Sequence, residues 1–292
     1  MTVAFIVSLL LSTALQAQPN GCPAAAALID KAGTVSDDPA GLTRRLALYK
    51  EAIGLCASSS DAFNNLGDTL ERLARYDEAL EAYRQAIAIR SDWPLPYFGV
   101  GDVYRKMNRP DDALYWYEKG LVLDPGDQRT REYVAALRAA DPPGIVQWRT
   151  IAPVLDRTRG AGVLSSVALD EQRIPFDFNQ TGLRSQAHAQ IREIAFALKD
   201  RFAETRSLGV LASAGPVIAE IAGHTDRRGT DPFNLRLAQQ RAQAVVDELV
   251  RGFGIPRARL RATSYGRSRP LCTEDTDACH ARNRRVEIRR PQ

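Results

Sequence analysis

Histidine and cysteine are scarce in this chain, three of the first and four of the second among 292 residues, and the scarcity removes most metal chemistry. The cysteines, Cys22, Cys56, Cys272 and Cys279, include no C-x-x-C pair, whereas a zinc site needs about four convergent ligands. His188 and His280 have no acidic or cysteine partner at metal or triad spacing, so a hydrolase would lack a complete constellation. With no nucleophile, paired carboxylates or metal cluster to read, the chain is expected to be no enzyme and to need no cofactor or metal. Long apolar runs are also missing. The stretch from Val3 to about Leu15 is shorter than the roughly 20 residues of a bilayer-spanning helix. It fits the apolar part of a secretory signal over residues 1–17, leaving no transmembrane segment in the mature chain. A net charge of +4 is too small to point to nucleic acid, although the C-terminal third is more basic, as in "RNRRVEIRR".

What is present is the composition of an ordinary folded protein, 45% hydrophobic and 25% charged, long enough for two domains. An even cysteine count in an exported chain suggests disulfides. Of three possible connectivities the local one, Cys22 with Cys56 and Cys272 with Cys279, is the simplest. "PNGC" lacks the aliphatic residue that lipoprotein signals carry, which argues against a lipid anchor at Cys22.

The N-terminal half repeats itself. Leu66-Gly67, Ala79, Tyr83 and Ala86 recur as Val100-Gly101, Ala113, Tyr117 and Gly120, each 34 residues on. Small residues where two helices approach, with aromatics wedged between them, resemble the tetratricopeptide repeat (TPR). The frame gives an all-α TPR solenoid over 22–140, with repeats at about 26–59, 60–93 and 94–127 and a polar capping helix at 128–140. The first repeat is degenerate: Tyr49 and Ala52 keep the frame, but Arg45 replaces an expected alanine. Three units reach the minimum for a continuous stacked core.

Pro142, Pro143 and several glycines break that rhythm, and 141–171 reads as a linker. Beyond it, "RIPFDFN" alternates like a strand, "LRSQAHAQIREIAFALKDRF" has helical spacing and "PVIAEIAG" is a second strand. "DPFNLRLAQQRAQAVVDELVRGFG" is a second helix with Leu235, Ala238, Ala242, Val245 and Leu249 on one stripe, and "RLRATSYG" and "NRRVEIRR" are further strands. The order βαβαββ predicts an α+β domain with a mixed sheet and helices on one face.

The run "GHTDRRGTDPFNLRLAQQRAQAVVDELV", then "GIPRARLRATSYGRSRP" and a terminal "NRRVEI", resembles the OmpA C-terminal-like family of peptidoglycan-binding domains over roughly 172–290. Departures from the family pattern are Ala238 for a common serine, one extra residue in "RGFG" and Ser264 for a frequent glycine. The resemblance implies non-covalent binding of the peptidoglycan stem peptide through its diaminopimelate residue. Carried over by position, Asp226 would accept the side-chain ammonium of diaminopimelate and Arg241 would grip its carboxylate. Phe178 and Asn179 would supply a further contact, and Asn234, Thr225 and Leu237 support. An amino-acid zwitterion needs one fixed anion and one fixed cation, and arginine offers a planar fork matched to carboxylate. Seven residues apart on a helix, Asn234 and Arg241 project within about 20° of each other. Asp226 and Arg241 could instead pair with each other as a structural bridge. Arg284 and Arg285 read equally as ligand contacts or as solvated strand-end charges, and His224 as a turn residue. The resemblance also places Cys272 and Cys279 in a loop where some relatives carry a disulfide.

The repeat resemblance implies a concave groove for a protein or peptide partner, lined by Asn64, Asp68 and Arg72 from one repeat and Phe98, Asp102 and Arg105 from the next. A solvated helix face is the alternative. Together these readings describe a non-catalytic periplasmic scaffold, held on peptidoglycan and possibly near the outer membrane, that presents its repeats to an unidentified partner. An assembly or adaptor component of an envelope machine for secretion, motility or division is the second reading. A peptidoglycan-acting enzyme is a remote third.

Overall fold

A computed structural model describes residues 21–155, 166–176, 181–207 and 217–291. The expected signal segment, and Phe178 and Asn179, lie outside the described residues. The chain divides into two units, Met1–Ala139 and Ala140–Gln292.

The described part of the first unit is helical throughout: α1 (Gly21–Gly33), α2 (Pro39–Leu55), α3 (Ser60–Arg72), α4 (Tyr76–Ile89), α5 (Pro94–Lys106), α6 (Pro110–Leu123) and α7 (Gln128–Arg138). The starts are written locally. Asp38, Ser59 and Asp127 cap α2, α3 and α7 by accepting from backbone N–H groups, and Pro39, Pro94 and Pro110 sit in first turns, where no N–H is needed. The 34-residue period reappears in the backbone, because the two non-glycine residues with positive φ among the described residues, Ala74 (55°) and Asn108 (56°), occupy the same repeat position. The small-residue reading of the repeats holds physically. A Cβ on Gly101 would lie 2.4 Å from the Tyr117 ring, so α5 and α6 can close only over a glycine. Arg45, the misfit of the first repeat, bonds the Val35 carbonyl and pairs with Asp37, closing the turn between α1 and α2. Cys22 and Cys56 form a disulfide joining the start of α1 to the end of α2.

In the second unit a four-stranded mixed sheet runs in the order β1-β4-β2-β3, with β1 (Ser166–Asp170), β2 (Ala219–His224), β3 (Leu260–Gly266) and β4 (Arg285–Arg289). β2 and β3 are parallel, and the other pairs are antiparallel. Helices α8 (Trp148–Leu155), α9 (Ala187–Ser207), α10 (Asp231–Arg251) and α11 (Asp277–Asn283) complete it. Register sorts the two sheet faces. Ile221 opposes Ile288 and Gly223 opposes Val286, an apolar set facing the core. Glu220 opposes Arg289 and Ala222 opposes Glu287, so the other face is charged.

Three expectations need correction. The first sheet strand is Ser166–Asp170, inside the stretch read as linker. "RIPFDFN" contributes, among described residues, only an isolated bridge from Phe176 to Leu183. Nor is 141–155 a free tether. Gln190 pairs its amide with both the N–H and the carbonyl of Val146, Glu193 accepts from Trp148 N, and Arg192 binds Asp141, so α9 holds this segment along its length. Finally, Leu235 is 46% exposed, whereas Leu237 is buried. The core stripe of α10 is Leu237, Ala238, Ala242, Val245, Val246 and Leu249, because those residues face β2 and β3.

Candidate functional site

The site forms where β2 runs into α10. Gly223 allows the contact, since a Cβ there would lie 2.0 Å from the Ala238 carbonyl oxygen. A register shift follows at once: His224 pairs with Gly266, which has positive φ, and Thr225 N donates to the Gly266 carbonyl at 2.9 Å. Such a bulge re-aims the chain leaving a strand. The turn 225–230 is then braced by two side chains. Asn234 Nδ2 donates to the Arg228 carbonyl at 2.9 Å, and Arg267 Nη1 to the carbonyls of Arg227 and Gly229 at 3.0 and 3.3 Å. Gly229 takes the positive φ of 87° that the turn requires.

This scaffold presents Asp226, whose side chain is 8% exposed. Its Oδ1 accepts from Arg228 N at 3.0 Å, and its Oδ2 accepts from Arg228 Nη2 at 2.6 Å and Arg284 Nη1 at 2.7 Å. Burial works to raise its pKa, but Arg228 and Arg284 outweigh burial and bring it to about 2. Arg284 reaches the other way as well. Its Nε and Nη2 each lie 2.5 Å from an oxygen of Glu171, forming a two-pronged ion pair that, ahead of Asp226, raises the guanidinium pKa.

Arg241 emerges two turns after Asn234 on α10, buried, with its guanidinium 5.0 Å from the Phe176 ring centroid. Burial lowers its pKa, and the fields of Glu171 and Asp226 act against that. Glu171, Ile174, Phe176, Arg241, Arg284 and Arg285 line a small cleft. Among the described residues, the lining carries three arginines, Arg241, Arg284 and Arg285, against one carboxylate, Glu171. The positive surplus suits a carboxylate.

The direct partners of Asp226 are thus Arg228 and Arg284, with Arg241 acting on it through the field. Neither Arg284 nor Arg285 is a solvated strand end, because Arg285 is buried against Glu287 at 2.6 Å and the Arg269 carbonyl at 3.0 Å. Thr225 is buried in the turn, Leu237 is buried in the core stripe of α10, and Asn234 is already engaged in the turn. Sequence reasoning missed Glu171 and Phe176. The Asp-x-Arg spacing in "HTDRRG" carried the signal for Arg228.

All three histidines face carboxylates that spacing did not reveal: His188 to Glu248 at 3.6 Å, His224 to Glu287 at 3.7 Å and His280 to Asp275 at 3.0 Å. His224 is the buried last residue of β2, stacked on Tyr265 with ring centroids 5.3 Å apart. Burial lowers its pKa, and together with Arg285 it holds Glu287 at about 2 against the opposing effect of burial. Cys272 and Cys279 are joined by a disulfide. Glu274 lies beside them, but both sulfurs are engaged with each other and so offer no thiolates. The stapled loop returns to the turn through an Asp275–Arg227 ion pair.

In the first unit the proposed groove charges are largely matched. Arg72 binds Asp37 with both nitrogens, at 2.8 and 3.0 Å, and lies 3.9 Å from Asp68. Asp102 accepts from Tyr117 OH at 2.8 Å and from Arg129 at 3.2 Å, and Arg105 lies 3.5 Å away. Asn64 donates to Asn65. Phe98 is core rather than groove: it is buried, and a Cβ on Gly120 would touch its ring at 2.3 Å.

Residues 175–284 match the model of the OmpA family, and residues 60–123 match that of the tetratricopeptide repeat. Outer membrane porin F of Pseudomonas aeruginosa is 32% identical over 138 residues, covering 47% of this chain and 36% of that protein. The peptidoglycan-associated lipoprotein of Legionella pneumophila is 46% identical over 68 residues, 23% of this chain and 38% of that protein. The chain spans little more than a third of the length of these curated relatives. The crystal structure of the peptidoglycan-associated lipoprotein from Burkholderia pseudomallei is 27% identical, covers 47% of this chain and 98% of that one, and superposes with a TM-score of 0.34.

Proposed function

We propose that this chain, which carries an OmpA-family domain behind a tetratricopeptide array, is a non-catalytic scaffold of the periplasm. Its C-terminal domain holds the diaminopimelate-containing stem peptide of peptidoglycan, and its repeats hold a protein partner. The observation that carries the reading is the buried Arg241 in a cleft where positive charge exceeds negative among the described residues. The planar guanidinium of Arg241 matches the geometry of a carboxylate, and an amino-acid head carries one. The ammonium of the same head goes to Asp226. Arg228, whose side chain is 55% exposed, is the arm that yields to admit it. The relatives' names, porin F and peptidoglycan-associated lipoprotein, agree with an envelope setting.

Co-sedimentation with purified sacculi tests the reading, with wild type beside Asp226→Ala and Arg241→Ala. Leaving one charge of a desolvated pair unmatched costs about 2 to 5 kcal/mol, so each variant should stay largely in the supernatant. Sedimentation of both variants at the wild-type level rejects the clamp.

A further inference from the structure

We propose that Glu171 is an internal stand-in for the ligand's carboxylate: it occupies the arginine fork of Arg284 and competes with the carboxylate of a stem peptide for the arginine cluster. This rests on the clamp reading above and adds a residue to it.

Four observations meet at Glu171. It lines the cleft together with Arg241 and Arg284. Its two oxygens meet Arg284 Nε and Nη2 at 2.5 Å each, the parallel two-bond geometry that a free carboxylate would adopt on the same guanidinium. Arg284 is divided between two carboxylates of different accessibility. The Asp226 side chain is 8% exposed and built into the turn, whereas that of Glu171 is 39% exposed. Finally, Glu171 sits in the turn just after β1 and not in the ladder itself, so releasing it breaks no strand pairing.

An incoming carboxylate aimed at Arg241 therefore meets a negative charge already present. It must either bind against that repulsion or take over the fork and release Glu171 to water. In both cases Glu171 opposes binding, by the coupling of two anions that compete for one cation cluster. A purely structural role would make the opposite prediction, since loss of Glu171 would loosen Arg284 and weaken the site. Exchange of one partly exposed ion pair for another corresponds to a roughly two- to fivefold change in affinity.

The test is calorimetric titration of a diaminopimelate-containing tripeptide into the full chain, comparing wild type, Glu171→Gln, Glu171→Ala and Arg241→Ala. Expected are roughly two- to fivefold tighter binding in both Glu171 variants, a slightly lower melting temperature in each from the lost ion pair, and loss of binding in Arg241→Ala. Two variants of different size guard against one of them misfolding. If the Glu171 variants bind equally or more weakly while Arg241→Ala still loses binding, the stand-in role is overturned and the clamp survives. If Arg241→Ala binds as wild type does, the clamp itself fails and the stand-in role falls with it.

Discussion

Gly223 and Ala238 touch backbone to backbone: a Cβ on the glycine would lie 2.0 Å from the alanine carbonyl oxygen. A carbonyl inside a helix cannot retreat as a side-chain tip can, so strand and helix must separate to admit even a methyl group. Gly223→Ala is expected to cost about 1 to 3 kcal/mol of stability by overpacking, measured by urea unfolding. Because Asp226 leaves β2 three residues later and Arg241 lies on α10, the same variant should also weaken sacculus binding. Unchanged stability and binding would show that the contact is slack.

Arg241→Lys keeps the charge and discards the fork. If the fork holds a carboxylate, tripeptide affinity should drop on the order of tenfold, about 1.4 kcal/mol, because a point charge cannot make two parallel bonds. Leu235→Ala, at an exposed position on the same helix, serves as the control and should bind as wild type. Equal affinity of the lysine and wild-type proteins would mean that only charge matters at this position.

Acid should dismantle the second unit through particular carboxylates. Asp226 and Glu287 both have pKa values of about 2 in the folded chain, below the ordinary carboxylate range. A depressed folded pKa contributes stability that is complete above the unfolded value and lost as pH falls through the folded one. The window therefore runs from about pH 4.5 down to about pH 2. Urea midpoints measured across it should fall, and Asp226→Asn or Glu287→Gln should flatten the fall while lowering the midpoint at pH 7. A midpoint in either variant that depends on pH as steeply as in wild type contradicts the assignment.

The two disulfides should differ in worth. Cys22 and Cys56 are 34 residues apart in sequence, Cys272 and Cys279 only 7. On the chain-entropy model the first bridge contributes about 4 kcal/mol and the second about 2.5 kcal/mol. Paired serine replacements, Cys22→Ser with Cys56→Ser and Cys272→Ser with Cys279→Ser, should reproduce that order in denaturant unfolding. The short bridge should matter more for binding, because its loop reaches the turn through Asp275 and Arg227. A reversed order of stability losses would point to native-state contacts outweighing chain entropy.

Legibility in the sequence followed distance along the chain. Gly101 and Tyr117 can be matched because a repeat writes the same packing twice, and the turn carrying Asp226 can be read because Gly229, which shapes it, and Asn234, the nearer of its two braces, lie within a few positions. Glu171 cannot, because the arginine it binds is 113 residues away and the segment before it is broken by glycine. β1 is five residues long, too short for alternation to stand out beside the longer alternating run "RIPFDFN". α8 was hidden by Pro153 within it and by Pro142-Pro143 before it. Leu235 falls on the expected stripe and yet outside the core because helical spacing identifies an apolar stripe to within about one residue, whereas the approach of Gly223 to Ala238 settles which edge faces the sheet.

The bridge between Cys22 and Cys56 ties the first turn of the first helix to the end of the second. Thiols stay reduced in a cytosol and oxidise beyond it, so the way α1 is fastened depends on the redox state around it. With the thiols reduced, α1 is held by packing alone and is the easier helix to peel away. With them oxidised, a covalent latch closes over it, and fraying at that helix becomes uphill.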